Sequence, residues 1–507
     1  STLIEKYTGN INTPVLVQKE YIDLSDRQVI LKEGNSKKVT AENYENKFKL
    51  IEKGLNINNL TWASDNEEIA KVDAGGNITA ISKGKTTIRV TDNNTGNEAQ
   101  VLVDVIPNNE KAVAVPDIVY GNNFSVLLKE DGTVWSSGSN EYGQQGEGTP
   151  NTFTNYEYKQ VKVTEDEYLE NIVKVAAGNY HVIALDKDGK VWSWGYGANG
   201  RLGNGKTDNI FFATPVLNEE GTAQMEGAIG VVAGYNCSYI LKSDGTVYTS
   251  GINDNNQLFN NSVLPIKLED AENVIKIAGS QYATYMLRAD GTVLVRGANT
   301  NGGLGIYGTQ GSTTYMQNEN SDGILHGIVD IKAGSSHVVL RTKEGEVYVV
   351  GNNSNGQLGQ NNTINTAVPV KILNEEGTDN IKNITDIGTA GDNIYLIDKD
   401  GYAYAIGNND NGQLAQGNNV QSDLAVKMLQ IDDSFISDAQ FVSQGKGNTV
   451  SVIKKDGTIW AAGHNVPGQM GDINFLDQNK LVPISEKQLR ANKDVVVIGK
   501  NETFDID

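Results

Sequence analysis

Glu344-Gly-Glu-Val-Tyr-Val-Val-Gly351-Asn-Asn-Ser-Asn-Gly-Gln-Leu-Gly359 states in full a pattern that recurs through most of this 507-residue chain. An acidic residue and a glycine open it. A short alternating strand follows, then a second glycine, asparagine, and a Gly-Gln-Leu-Gly corner. The opening pair returns as Asp131-Gly132, Asp188-Gly189, Asp244-Gly245, Asp290-Gly291, Asp400-Gly401 and Asp456-Gly457, which makes seven copies at spacings of 46 to 57 residues. Asp-Gly between two apolar-alternating runs is a hairpin signal, because a tight turn needs a positive φ that glycine adopts without a Cβ penalty. The spacing predicts a two-residue hairpin in each copy. Strands such as His181-Val-Ile-Ala-Leu-Asp186 precede it and strands such as Val191-Trp-Ser-Trp194 follow it. A unit of about four short strands cannot bury both faces of its sheet alone, so neighbouring units must stack. Seven such sheets arranged radially make a β-propeller.

Upstream the grammar differs. From about Pro14 to Ile106, short alternating runs (Val15–Val17, Gln28–Leu31, Thr86–Val90, Ala99–Val103) are separated by Gly/Asn/Asp-rich turns, the signature of a β-sandwich. Trp62 reads as filler between its two sheets. The expected fold class is therefore all-β, an Ig-like β-sandwich plus a seven-bladed β-propeller. The expected boundaries are an N-terminal extension at 1–13, the sandwich at 14–106, a linker at 107–112 and the propeller at 113–507.

Composition narrows the function classes. Asp plus Glu is 63 against 42 Lys plus Arg, a net charge of −21, which argues against a sequence-independent grip on nucleic acid or anionic lipid. One cysteine, Cys237, excludes an intrachain disulfide and a thiolate metal cage. Glycine at 55 residues with only 9 prolines suits a turn-dense β protein. No apolar run reaches the length of a membrane span. The opening Ser-Thr-Leu-Ile-Glu, with neither Met nor a signal segment, reads as a processed product or a fragment.

The order Val29-Ile-Leu-Lys-Glu-Gly34, Leu60-Thr-Trp-Ala-Ser-Asp65, Ile69-Ala-Lys-Val-Asp73, Gly76-Asn-Ile-Thr-Ala-Ile-Ser-Lys-Gly84 and Thr86-Thr-Ile-Arg-Val90 resembles the bacterial group-2 immunoglobulin-like domain. That resemblance implies an extracellular bacterial location and a spacer or stalk. The downstream repeats resemble the regulator-of-chromosome-condensation repeat. Residues 188–203 and 344–359 carry the first half of its hallmark, and Val173–His181 with Val329–His337 carry the second. The resemblance implies a seven-bladed propeller. The family's founder exchanges nucleotides and binds chromatin, a poor match to an acidic chain. Its secreted bacterial member, which grips a protein with one propeller face, is a better precedent.

Chemistry is scarce. His181 and His337 share a repeat position that other copies fill with other residue types, which favours packing over catalysis. His326 and His464 have no partner for a triad, and Ser-x-x-Lys, Gly-x-Ser-x-Gly and His-Glu-x-x-His motifs are absent. Cys237 reads as a buried, inert thiol. No enzyme, cofactor or metal is expected. Binding is assigned instead to loop aromatics after each corner: Tyr156, Tyr158, Phe211, Phe212, Phe259, Tyr307 and Tyr315. The expected partner is a protein or a cell-surface glycan, with self-association into a fibre as the competing reading. The half-repeat Val496–Ile506 makes an eighth pre-turn segment for seven hairpins. It would close the ring, mark a cut before an eighth hairpin, or pair with another chain.

Overall fold

Period-2 alternation places one face of every strand in a core and leaves hydrogen bonding to its neighbours. A computed structural model shows the result for residues 21–44, 55–56, 59–149, 155–255, 257–258, 260–306, 312–471 and 476–485. The proposed extension at 1–13 and the half-repeat at 495–507 lie outside these described residues.

The first domain is a β-sandwich. Its larger sheet runs Gln28–Lys32, Glu98–Ile106, Gly84–Asp92, Leu60–Ser64, the first pair parallel and the others antiparallel. Ile22, Val29, Val39, Ile78, Ile88, Val90, Val101 and Val103 fill its core. Trp62 packs against the sandwich core from the edge strand of the larger sheet, toward the turn of the smaller one. It lies half-buried at the edge, where a Cβ on Gly76 would come within 2.9 Å of its ring.

Seven four-stranded antiparallel blades follow, each cut from one continuous segment. Blade 1 spans Asp117–Tyr120 to Asn155–Gln160, and blades 2 to 6 open with inner strands Ile172–Ala177, Ala228–Ala233, Val274–Gly279, Ile328–Ala333 and Ile384–Ala390. Blade 7 opens with Ala439–Val442 and ends at Gln478–Ser485. The hairpins are one residue longer than expected. In blade 2 the Gly189 N–H donates to Asp186 O and the Asp186 N–H to Lys190 O, with Gly189 at φ +79°. This is a turn closed by a left-handed glycine, the second common hairpin type.

The ring closes within residues 117–485. Blade 1 has all four of its own strands, and its inner strand pairs in parallel with Gln444–Gly445 of blade 7 through Val119↔Gln444 and Tyr120↔Gly445. Gly445 also pairs with Ala390 of blade 6. Among the described residues every blade, the first included, thus has four strands of its own.

The sandwich is not a detached spacer. It seats on the propeller face that carries the hairpins. Arg27, 5% exposed, donates from Nη1 to Ser243 O at 3.0 Å, and Gln100 Nε2 donates to Ile328 O at 3.0 Å. Asp104 Oδ2 lies 3.5 Å from Lys174 Nζ on the inner strand of blade 2, and Lys85 stands 5.3 Å over the Phe441 ring of blade 7. Residues of the two domains share one buried apolar cluster, and Ile30, on the same strand face as Gln28, packs against the apolar cluster between blades 2 and 3. The linker is fixed as well: Ala112 is fully buried, and Asn109 O accepts from Lys32 Nζ at 2.6 Å. A crevice of about 100 Å³ remains at the seam, lined largely by Val105, Pro107, Val115, Phe441 and Ile453.

Candidate binding face

The strand order within a blade sets the two ends of the ring apart. Hairpins joining second to third strands lie at one end. Turns joining first to second strands, and the Gly-Gln-Leu-Gly corners joining third to fourth, lie at the other. The sandwich occupies the hairpin end around the axis, so the corner end is the open face. Glycine makes its corners possible. At Gly195 (φ +102°) a Cβ would stand 2.5 Å from Tyr180 O.

Three tyrosines meet on this face. Tyr142 comes from the blade 1 corner, Tyr180 from the first turn of blade 2, and Tyr196 from the residue after Gly195. Ring centroids are 5.2 Å apart for Tyr142–Tyr180, 4.4 Å for Tyr142–Tyr196 and 6.2 Å for Tyr180–Tyr196, in tilted and edge geometries that favour aromatic contact. Asn122 Nδ2 donates to Tyr180 Oη at 2.8 Å. The Arg201 guanidinium lies 4.6 Å over the Tyr196 ring and donates to Ala198 O and to Asn236 Oδ1, both at 2.9 Å. Among the described residues no carboxylate pairs with Arg201, so a buried cation backs a half-exposed aromatic patch. Farther round the same face, Ile364 and Val420 are 70% and 69% exposed. They hold equivalent places in blades 5 and 6, and their carbonyls accept from Asn353 and Asn409 at 3.1 and 2.9 Å, so each loop is pinned with its side chain outward.

The loop aromatics fare differently. Tyr158 and Tyr315 are corrected: both lie in fourth strands and are buried at 4% and 5% exposure. Tyr158 Oη bonds Ser125 Oγ at 2.8 Å, and Tyr315 Oη accepts from Arg288 Nη1 at 2.6 Å. Phe211 and Phe212 are half-buried covers that seal blade 2 onto the blade 1 corner. Cβ atoms on Gly143 and Gly148 would come within 2.6 and 2.4 Å of their rings. Phe259 and Tyr307 lie outside the described residues, as does the Tyr156 side chain. The tyrosine cluster lies in short turns and corners, outside the long loops to which the sequence pattern assigns binding. Tyr180 stands at a first-turn position that carries Asn123, Asn236 or Ser336 in other blades and a tyrosine again, Tyr282, in blade 4, so the sequence alone did not single it out.

The histidines pack, as expected. His181 is fully buried, with Nε2 3.1 Å from Cys237 O and 3.0 Å from Ser238 Oγ of the next blade. His337 repeats the contact at 3.3 Å from Asn393 O. Burial pushes both imidazoles below their usual pKa, His181 strongly so, helped by Arg201. Burial likewise raises the Cys237 thiol. Among the described residues no group of three His, Cys, Asp or Glu side chains could hold a metal ion, and no helix is long and apolar enough to cross a membrane.

Comparison with known proteins agrees with this architecture. The model for the bacterial Ig-like domain (group 2) matches residues 20–103, and models for the regulator of chromosome condensation (RCC1) repeat match 117–144, 131–185, 172–201, 188–241, 328–357 and 344–394. The chain is 27% identical over 369 residues to the ultraviolet-B receptor UVR8 of Arabidopsis thaliana, covering 71% of this chain and 79% of that one. It is 36% identical over 151 residues to the human E3 ubiquitin-protein ligase HERC2, covering 29% of this chain but 3% of HERC2. Among solved structures, Prp20p from Saccharomyces cerevisiae, described with its binding to Gsp1p and histones, superposes with TM-score 0.58 at 18% identity, covering 76% of this chain and 89% of that one. Human WBSCR16 superposes with TM-score 0.56 at 18% identity, covering 70% and 93%. The chain thus consists of a bacterial group-2 Ig-like domain followed by a propeller of RCC1-type repeats.

Proposed function

We propose that the protein is a non-enzymatic, extracellular bacterial binding module whose corner face docks a partner protein. The observation that carries this reading is the asymmetry of the ring. The sandwich covers the axial part of the hairpin face, while the corner face presents Tyr142, Tyr180 and Tyr196 beside Arg201, with Ile364 and Val420 turned outward. Aromatics and arginine are the side chains that dominate binding at protein interfaces, and exposed apolar groups on one face mark such surfaces. The bacterial, extracellular setting is supported by the Ig-like domain alone.

The test is quantitative affinity capture from culture medium and cell-surface fractions, comparing the native chain with two variants. A partner lost at least ~10-fold by the combined Tyr142→Ala, Tyr180→Ala and Tyr196→Ala variant, yet kept by Lys343→Ala on the hairpin face, supports the reading. A partner sensitive only to Lys343 contradicts it.

A further inference from the structure

Blade 7 breaks the repeat at one position on the corner face. The residue that opens the first turn is glycine in four blades (Gly121, Gly178, Gly234, Gly334), Ser280 and Ala390 in two more, and Lys446 in the seventh. The glycines are enforced. A Cβ would lie 1.9 Å from the Phe124 ring at Gly121, 2.1 Å from His181 at Gly178, 2.1 Å from His337 at Gly334 and 2.5 Å from Cys237 Sγ at Gly234. Wherever the glycine is lost, the residue three positions on carries no ring: Ala283, Asn393 and Thr449 stand where Phe124, His181 and His337 do in three of the glycine blades. The exchange of Gly for Lys446 is thus matched by a local change that makes room for it.

The side chain uses that room to cross the ring. Lys446 is 8% exposed; its Nζ lies 4.9 Å over the Tyr235 ring of blade 3 and 3.4 Å from Gly279 O of blade 4, the blades opposite its own. An ammonium has three donors, and this one makes a single long bond with no carboxylate in ion-pair range. Tyr235, 3% exposed, has a hydroxyl with no protein partner. A buried ammonium over the Tyr235 ring and a buried Tyr235 hydroxyl therefore share the axial mouth with one long bond and no carboxylate partner, an arrangement that is costly unless an anion satisfies it.

We propose that Lys446 and Tyr235 form an anion site at the axial mouth of the corner face, built for one carboxylate group. A single cation balances a monoanion. Asp392, whose charge is felt at Tyr235, works against a dianion such as phosphate. Burial, reinforced by Lys332 and partly offset by Cys237, holds the ammonium down to about 8, so it is mostly charged at neutral pH and gains from a counter-charge. The carboxylate is either a free small acid or an acidic side chain of the docked partner. Only the second source rests on the reading of the corner face given above.

The experiment follows the lysine side-chain NMR signals of the full chain, labelled at lysine Cε, at constant ionic strength. Sodium acetate is titrated in one arm, and a capped Gly-Gly-Asp-Gly-Gly peptide in the other. Lys446→Met assigns the resonance, and Tyr235→Phe serves as a second variant should Lys446→Met not fold. Acetate is expected to move the Lys446 signal saturably and raise its pKa, with affinity weakened ~3-fold or more in Tyr235→Phe. A response to acetate identifies a free acid as a sufficient ligand; a response to the peptide alone identifies the partner's side chain as the source. If neither ligand moves the Lys446 signal, the site is overturned. The reading of the tyrosine patch would still stand or fall on its own triple variant.

Discussion

His181 and His337 show how a residue's repeat position decides its role. Each imidazole is buried as a neutral ring bonded to the next blade, with a pKa below its ordinary 6.5. The unfolded chain therefore takes up these protons first as pH falls. The stability they contribute is complete above about pH 6.5 and is lost below it, by at most ~1.4 kcal/mol per pH unit for each ring. Asp386 opposes this. Burial, and then the charge of Asp330, push its carboxyl up to about 6, so its penalty is relieved on acidification between pH 6 and its ordinary value of 3.8. Urea unfolding from pH 7.5 to 5 should show native stability falling more steeply than that of a His181→Gln/His337→Gln variant; parallel curves would refute the assignment. Both histidines could be read from the sequence because the repeats themselves show other residue types at that place. Tyr158 and Tyr315 could not. Each follows a long insert, and only the register of the fourth strand decides whether it faces solvent or core.

The hairpin is the element that specified the fold, and its glycine carries the geometry. Gly457 is left-handed at φ +88° with open space where a Cβ would go, so Gly457→Ala should cost only the conformational term, ~1–2 kcal/mol. Gly457→Asn should cost less, because asparagine tolerates that region. Gly351 differs: φ is +116° and a Cβ would meet Ser336 O at 2.5 Å, so Gly351→Ala should be the more damaging change in denaturant unfolding. Equal losses at the two sites would mean that the close approach at the corner is not a real constraint. Seven blades were legible because this pair of glycines recurs with the strands between them. The fourth strands were harder to read, since the corner inserts that precede them differ in length and composition.

At the scale of the molecule the two domains form one body, which the sequence did not disclose. The residues that join them, Arg27, Lys85, Gln100 and Asp104, alternate along strands as ordinary outward positions would; only the propeller opposite gives them partners. Asp104 is the most exacting of these. Burial would raise its carboxyl, but Lys174, Lys85 and Lys276 together keep it low. Asp104→Lys would set a fourth cation among three, and calorimetry should then resolve the single transition expected of the native chain into two. The central claim, that the hairpin face is covered and the corner face open, is tested most directly by hydroxyl-radical footprinting of the whole chain. The account predicts ready oxidation of Tyr142, Tyr180, Tyr196, Ile364 and Val420, with Ile30, Leu102 and Phe441, which face the domain junction, protected. Equal labelling of the junction and the corner face, as from two domains on a free tether, would contradict it.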